Sequence, residues 1–81
     1  MTPITSPSSL GNVLQHYRKS LDLTQNNVSQ QHGIRQASIS GLENGSPGMR
    51  IDTLFRLMTA LGLEMQLVAR KDSQDDKAAW E

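Results

Sequence analysis

The chain has 81 residues, room for one small domain that buries only about 60% of its unfolded surface and so has a marginal core. It contains no cysteine, which excludes disulfide bracing and thiolate metal sites. Eight basic and eight acidic side chains cancel, and zero net charge argues, at face value, against a polyanion-binding surface.

Ser6-Pro7 reads as a helix start, with serine as the cap and proline at the first helical position. Leu10, Val13, Leu14, Tyr17 and Leu21 then fall on one stripe at helical period. Asp22-Leu23 makes a short break. Thr24 caps a second helix, Gln25 to His32, which Gly33 ends at a position suited to a left-handed residue. A third helix is predicted over roughly Gln36 to Asn44, and Gly45-Ser46-Pro47-Gly48 is a strong loop signal. Ile51, Leu54, Phe55, Leu57, Met58 and Leu61 give a fourth helix with a wide apolar face, closed by Gly62.

Beyond Gly62 the period changes to two. Leu63, Met65 and Leu67 alternate with Glu64 and Gln66, which is strand spacing running to about Arg70. A single strand leaves its backbone donors and acceptors unpaired, and the chain offers no second strand of comparable quality. A copy of the same strand from another molecule would satisfy it and enlarge a small core. The competing reading is that this segment extends the fourth helix or forms a fifth. From residue 72 onward the sequence is polar and acidic and is expected to be disordered. The predicted organisation is an N-terminal arm (1–7), a helical domain (8–62), a dimerisation strand (63–71) and an acidic tail (72–81).

This division changes the meaning of the net charge. Residues 1–71 carry seven basic and four acidic side chains, a net of +3, whereas residues 72–81 carry a net of −3. Neutrality is therefore the sum of a basic body and an acidic tail. Other classes of function are poorly supplied. No apolar run approaches the roughly 18 residues of a membrane span. The N-terminus lacks the basic and apolar regions of a signal peptide, so a soluble, cytoplasmic protein is expected. His16 and His32 have no carboxylate or cysteine at ligand spacing, the serines have no nearby base, and there is no glycine-rich phosphate loop. No enzyme activity, metal or cofactor is expected.

Two short helices joined by a turn at Gly33 match the helix-turn-helix arrangement, in which the second helix enters the major groove of DNA. The arrangement needs a small residue where the helices cross (Ser29), a glycine in the turn, and apolar residues behind the second helix (Val28, Ile39, Leu42). Thr24-Gln25, then Gly33-Ile34-Arg35-Gln36-Ala37-Ser38-Ile39-Ser40, then Glu43-Asn44-Gly45 resemble the phage-repressor-type (Xre/Cro-like) helix-turn-helix family over residues 8–62. Within it, Ser6-Pro7, the run from Gly33 to Ser40, the ending Leu61-Gly62-Leu63-Glu64-Met65-Gln66-Leu67 and a tail with Trp80 resemble the HipB-type antitoxins. The implied fold is all-α: a lambda-repressor-like bundle of four to five short helices, with a C-terminal β-strand pairing across a dimer.

Arg35 stands where the family usually has a capping serine. A cation at the positive end of a helix is unfavourable by a few tenths of a kcal/mol, and a phosphate or guanine edge would relieve that cost. Arginine suits guanine O6/N7 and the Gln36 amide suits adenine N6/N7, while Ala37 can meet a thymine methyl. Ser40 lies one turn further along. The resemblance implies that Arg35, Gln36, Ala37 and Ser40 read base edges. It implies a phosphate contact for Gln25 at a helix N-terminus, and weaker ones for Ser38 and Asn44. Arg18 and Glu43 take the positions of a half-buried structural salt bridge.

Three positions depart from the family pattern. His32 replaces an apolar core residue and is expected as a partly buried neutral imidazole. Ser29 replaces alanine. Gly41 sits inside the third helix at a cost of about 1 kcal/mol relative to alanine, either because a base-reading side chain has been lost or because the backbone is approached closely. Trp80, in a tail unable to fold alone, is either an unstructured end or an anchor for a partner pocket.

The resemblance implies a homodimeric antitoxin that binds a palindromic double-stranded DNA operator, represses its own operon and neutralises a HipA-type serine/threonine kinase toxin. Two rival readings are a stand-alone repressor of the same fold and an interaction adaptor that has lost DNA binding.

Overall fold

Local sequence signals set the helix ends. The computed structural model describes residues 3–70 and contains four helices: α1 (Pro7–Ser20), α2 (Gln25–His32), α3 (Gln36–Glu43) and α4 (Ile51–Ala60). Helix α1 opens with a capping box, in which the Ser6 hydroxyl accepts from the Ser9 amide and the Ser9 hydroxyl reaches back to the Ser6 amide. Thr24 and Asn27 repeat the device at α2. Helices α1 and α4 end alike. Asp22 and Gly62 take positive φ (57° and 72°), and the amides of Leu23 and Leu63 return to the carbonyls of Arg18 and Met58. Asp22 is the one residue other than glycine with positive φ among those described.

All four helices contribute to one core. Leu14 of α1, Val28 of α2, Ile34 of the turn, Ile39 and Leu42 of α3, and Leu54, Leu57 and Met58 of α4 are buried together with Leu61. Helix α1 packs across α3, α2 rests on α3, and α4 closes the far side. Helix α3 is thereby held from behind by every other helix, which fixes its outer face.

The apolar stripes are narrower than the sequence predicts. Tyr17 and Leu21 of α1 are about half exposed, and Gly11, Leu14 and Arg18 form the buried face instead. On α4, Ile51 and Phe55 face solvent while Leu54, Leu57, Met58 and the capping Leu61 go inward. The third helix stops at Glu43, with Asn44 as its cap. His32, expected to be partly buried, is exposed; Ile34, two residues on, fills the core position behind the turn at 2% exposure.

Neither a fifth helix nor a strand occurs among the described residues. Residues 63–70 carry no regular secondary structure, so none of the described residues of one chain pairs with the expected dimer strand. Leu63 packs against the core, whereas Met65, Leu67 and Val68 are exposed. No helix among the described residues is long and apolar enough to cross a membrane. The acidic tail 72–81 and Trp80 lie outside the described residues.

Candidate nucleic-acid interface

The outer face of α3 begins at Arg35, its N-cap residue, which has extended backbone (φ −61°, ψ 134°) and makes no side-chain capping bond. Arg35, Gln36 and Ala37 are exposed, and Ser38 and Ser40 are half-buried. Ile39, Leu42 and Glu43 point inward from the same helix. All four expected base-reading residues therefore share the free side of a helix whose back is packed. Asn44 is exposed and its amide donates to the Ser40 hydroxyl at 3.3 Å, which couples the two polar groups at the far end of that face.

A buried charge network sets the angle of α3. The Arg18 guanidinium grips the Glu43 carboxylate through Nε (2.6 Å) and Nη2 (2.9 Å), and its Nη1 donates to the Leu23 carbonyl at 2.7 Å. Both side chains are almost wholly buried, at 8% and 1% exposure, more than the half-buried pair expected. Glu43 raises the Arg18 pKa above its ordinary value, chiefly through these hydrogen bonds and against the opposing effect of burial. The Gln25 amide adds a third donor to Glu43 at 3.2 Å. One carboxylate thus ties α1, α2 and α3 together. Gln25 keeps one amide hydrogen and its carbonyl oxygen for other partners. No buried side-chain nitrogen or oxygen among the described residues lacks a hydrogen-bond partner.

Ser29 is half-buried and its carbonyl accepts the Gly33 amide at 3.0 Å, with Gly33 left-handed at φ 65°. The two explanations for Gly41 now separate. A Cβ on Gly41 would meet the Met49 side chain, with Sδ at 2.9 Å and Cε at 3.1 Å. Gly41 therefore faces the protein's own α3–α4 loop, and the close neighbour is a flexible side chain.

Sequence reasoning missed three features of this region. Gly11 sits where α1 crosses α3, although the sequence around it gives no sign of a crossing. Arg50 and Arg56 lie beside Arg35 around a cleft of about 290 Å³, completed by Ile34, Ser38 and Thr53. An arginine at the start of a helix with no nearby capping hydroxyl is the signal that could have drawn attention to Arg50. No cluster of metal-ligating side chains occurs among the described residues.

Comparison with known proteins agrees with this geometry. Residues 9–70 match the helix-turn-helix domain family. The chain is 32% identical over 75 residues to antitoxin HipB of Escherichia coli O6:H1, covering 93% of this chain and 80% of that protein. It is 32% identical over 73 residues to antitoxin HipB of Escherichia coli K12, covering 90% and 83%. Chains from two solved structures, a HipA-HipB-O2-O3 complex and a HipB-O4 20mer complex, each superpose with a TM-score of 0.80 at 32% identity. Each covers 88% of this chain, and all of the other chain is matched. With its capped helix pair, its outward-facing α3 and a likeness that runs through nearly its full length, the chain belongs to the HipB antitoxin family of helix-turn-helix proteins.

Proposed function

We propose that this protein is a sequence-specific DNA-binding antitoxin that acts as a homodimer, represses its own operon and neutralises a HipA-type serine/threonine kinase toxin. The observation that carries the reading is the run Arg35–Gln36–Ala37, exposed at the start of a helix buried along its back. Such a helix can enter a major groove and place an arginine, an amide and a methyl group against base edges. Gln25, Ser38 and Asn44 flank that face and serve as phosphate contacts. Relatives solved as HipA-HipB-O2-O3 and HipB-O4 20mer complexes support both kinds of partner.

Dimerisation rests on residues 63–71, whose exposed Met65 and Leu67 pair with those of a second copy. Two recognition helices then reach successive major grooves about one helical turn apart on a palindromic operator. The toxin is held by surface outside the DNA face, with Trp80 in the acidic tail as an anchor. Neither task requires catalysis, and both take place in the cytoplasm.

A salt titration of duplex binding tests the DNA role, because phosphate contacts give a steep negative slope of log affinity against log salt. A flat slope would favour the adaptor reading. Co-purification with a kinase tests the antitoxin role, and its failure with DNA binding intact would leave a stand-alone repressor.

A further inference from the structure

Helices α1 and α2 each begin with a hydroxyl cap and a reciprocal capping box, whereas α3 and α4 each begin with an arginine that makes no capping bond, Arg35 and Arg50. A cation at the positive end of a helix is locally unfavourable, and here it occurs at two helix starts that border the same cleft. Ser38 and Thr53 line the cleft from the first turns of the two helices, Ile34 adds an apolar wall, and Arg56 is the third arginine of the lining. Arg56 is fixed by donating to the carbonyls of Gly33 (3.0 Å) and His32 (3.3 Å) at the end of α2. The Arg35 side chain makes no hydrogen bond or ion pair among the described residues.

One of these arginines is already held by an anion outside the cleft lining. Asp52 holds Arg50 through two hydrogen bonds of 2.9 Å and also accepts the Thr53 amide at 2.9 Å. Its carboxyl is held below the usual carboxylate range, first by the Arg50 hydrogen bonds. The pair is open to solvent, with 78% and 60% of the two side chains exposed, and exposed pairs of this kind contribute little to stability. An oxyanion in the cleft can therefore draw Arg50 away from Asp52 at small cost.

The geometry points to a phosphate-binding site between the starts of α3 and α4, in which Arg50 and Arg56 hold one tetrahedral phosphate group, Ser38 and Thr53 supply hydroxyl donors, and Arg35 stands at the rim with its guanidinium left for a base edge. A DNA phosphodiester beside the groove helix and free phosphate share this chemistry. The DNA source rests on the reading of α3 proposed above, and the phosphate chemistry does not. Two guanidiniums and two hydroxyls offset the charge of one phosphate and offer donors for its oxygens.

The test uses the full chain with inorganic phosphate as the probe and chloride at matched ionic strength as the control, read by amide NMR shifts. Saturable shifts at Arg35, Ser38, Arg50 and Thr53 are expected with phosphate alone. Arg50→Ala should weaken phosphate several-fold, and Asp52→Asn, which frees Arg50, should strengthen it. Opposite effects from two exposed neighbours cannot arise from unfolding. In a second arm, the salt slope of duplex DNA binding is compared between wild type and Arg50→Ala, each lost phosphate contact reducing its magnitude by roughly 0.9. A reduced slope identifies the DNA backbone as the source, and an unchanged slope with the NMR effects retained identifies free phosphate. Identical shifts in chloride, or a phosphate affinity that neither substitution alters, would overturn the site. A wild-type chain that takes phosphate in the cleft but binds no duplex would defeat the DNA reading of α3 and leave the site standing.

Discussion

Gly11 lies directly against the backbone of Glu43: a Cβ on Gly11 would collide with the Glu43 carbonyl oxygen and stand 2.6 Å from that of Leu42. Seven residues further along α1, Arg18 grips the side chain of the same Glu43. A steric contact and an ionic contact thus lock α1 onto the end of α3, and the outer face of α3 inherits its direction from both.

The steric contact predicts that Gly11→Ala is destabilising even though alanine is the better helix former. Propensity favours alanine by about 1 kcal/mol, but overpacking against atoms that cannot rotate away costs about 1–3 kcal/mol and sometimes more. So short an approach to backbone atoms draws on the upper part of that cost, and a net loss of about 1–2 kcal/mol is expected in urea unfolding. Equal or greater stability would mean that α1 does not cross α3 so closely.

The ionic contact predicts that Glu43→Gln is among the most damaging single changes. It leaves the Arg18 charge buried without a counter-ion, and removing one partner of a buried pair costs about 3–5 kcal/mol. Replacing both residues, as Arg18→Met with Glu43→Leu, should restore most of the loss. Chemical denaturation of the single and double variants checks this, and a double variant no better than the single would contradict it.

The helices were legible because their ends are written in local chemistry: Ser6-Pro7, Thr24, Gly33 and Gly62 all stand where the structure uses them. Which apolar residues go inward was less legible. Tyr17 and Arg18 are neighbours on α1, and periodicity favours tyrosine, yet arginine is buried because Glu43, 25 residues away, neutralises it. His32 shows the same limit, since the core position behind the turn is filled by Ile34. The candidate reading face, by contrast, could be found from Gly33 and the family spacing alone. Arg50 and Arg56 could not, because only the packing of α4 against α3 brings them beside Arg35.

Gln36 carries the most specific part of the DNA reading, being exposed at the first position of α3. Gln36→Ala should leave the unfolding transition in place, cost about 1–3 kcal/mol in operator binding and relax the preference at one base pair. Affinity measured across a set of single-base operator variants is the appropriate readout. Unchanged affinity and unchanged preference would remove Gln36 from the interface.

Leu67 separates the fold of one chain from the assembly of two. It is 87% exposed, so Leu67→Asp should leave helicity intact. If residues 63–71 pair between copies, burying that carboxylate in the pairing should convert a dimer into a monomer by light scattering. DNA affinity should fall in parallel, because each body carries a net charge of only +3 and the two must bind together. A wild-type chain that is monomeric at micromolar concentration would remove this segment from consideration.

Gly41 decides whether the third helix has lost a reading position. Its missing side chain points at Met49, so the glycine reflects packing and does not weaken the case for DNA binding. Gly41→Ala should therefore leave operator preference unchanged. Its effect on stability is set by a helix-propensity gain of about 1 kcal/mol against the displacement of the Met49 thioether. Methionine has three rotatable bonds and adapts readily, so a small net gain is expected. Combining Gly41→Ala with Met49→Ala opens the space and should reveal the propensity gain when compared with Met49→Ala alone. A change in base preference on Gly41→Ala would place this position in the groove and reverse the assignment.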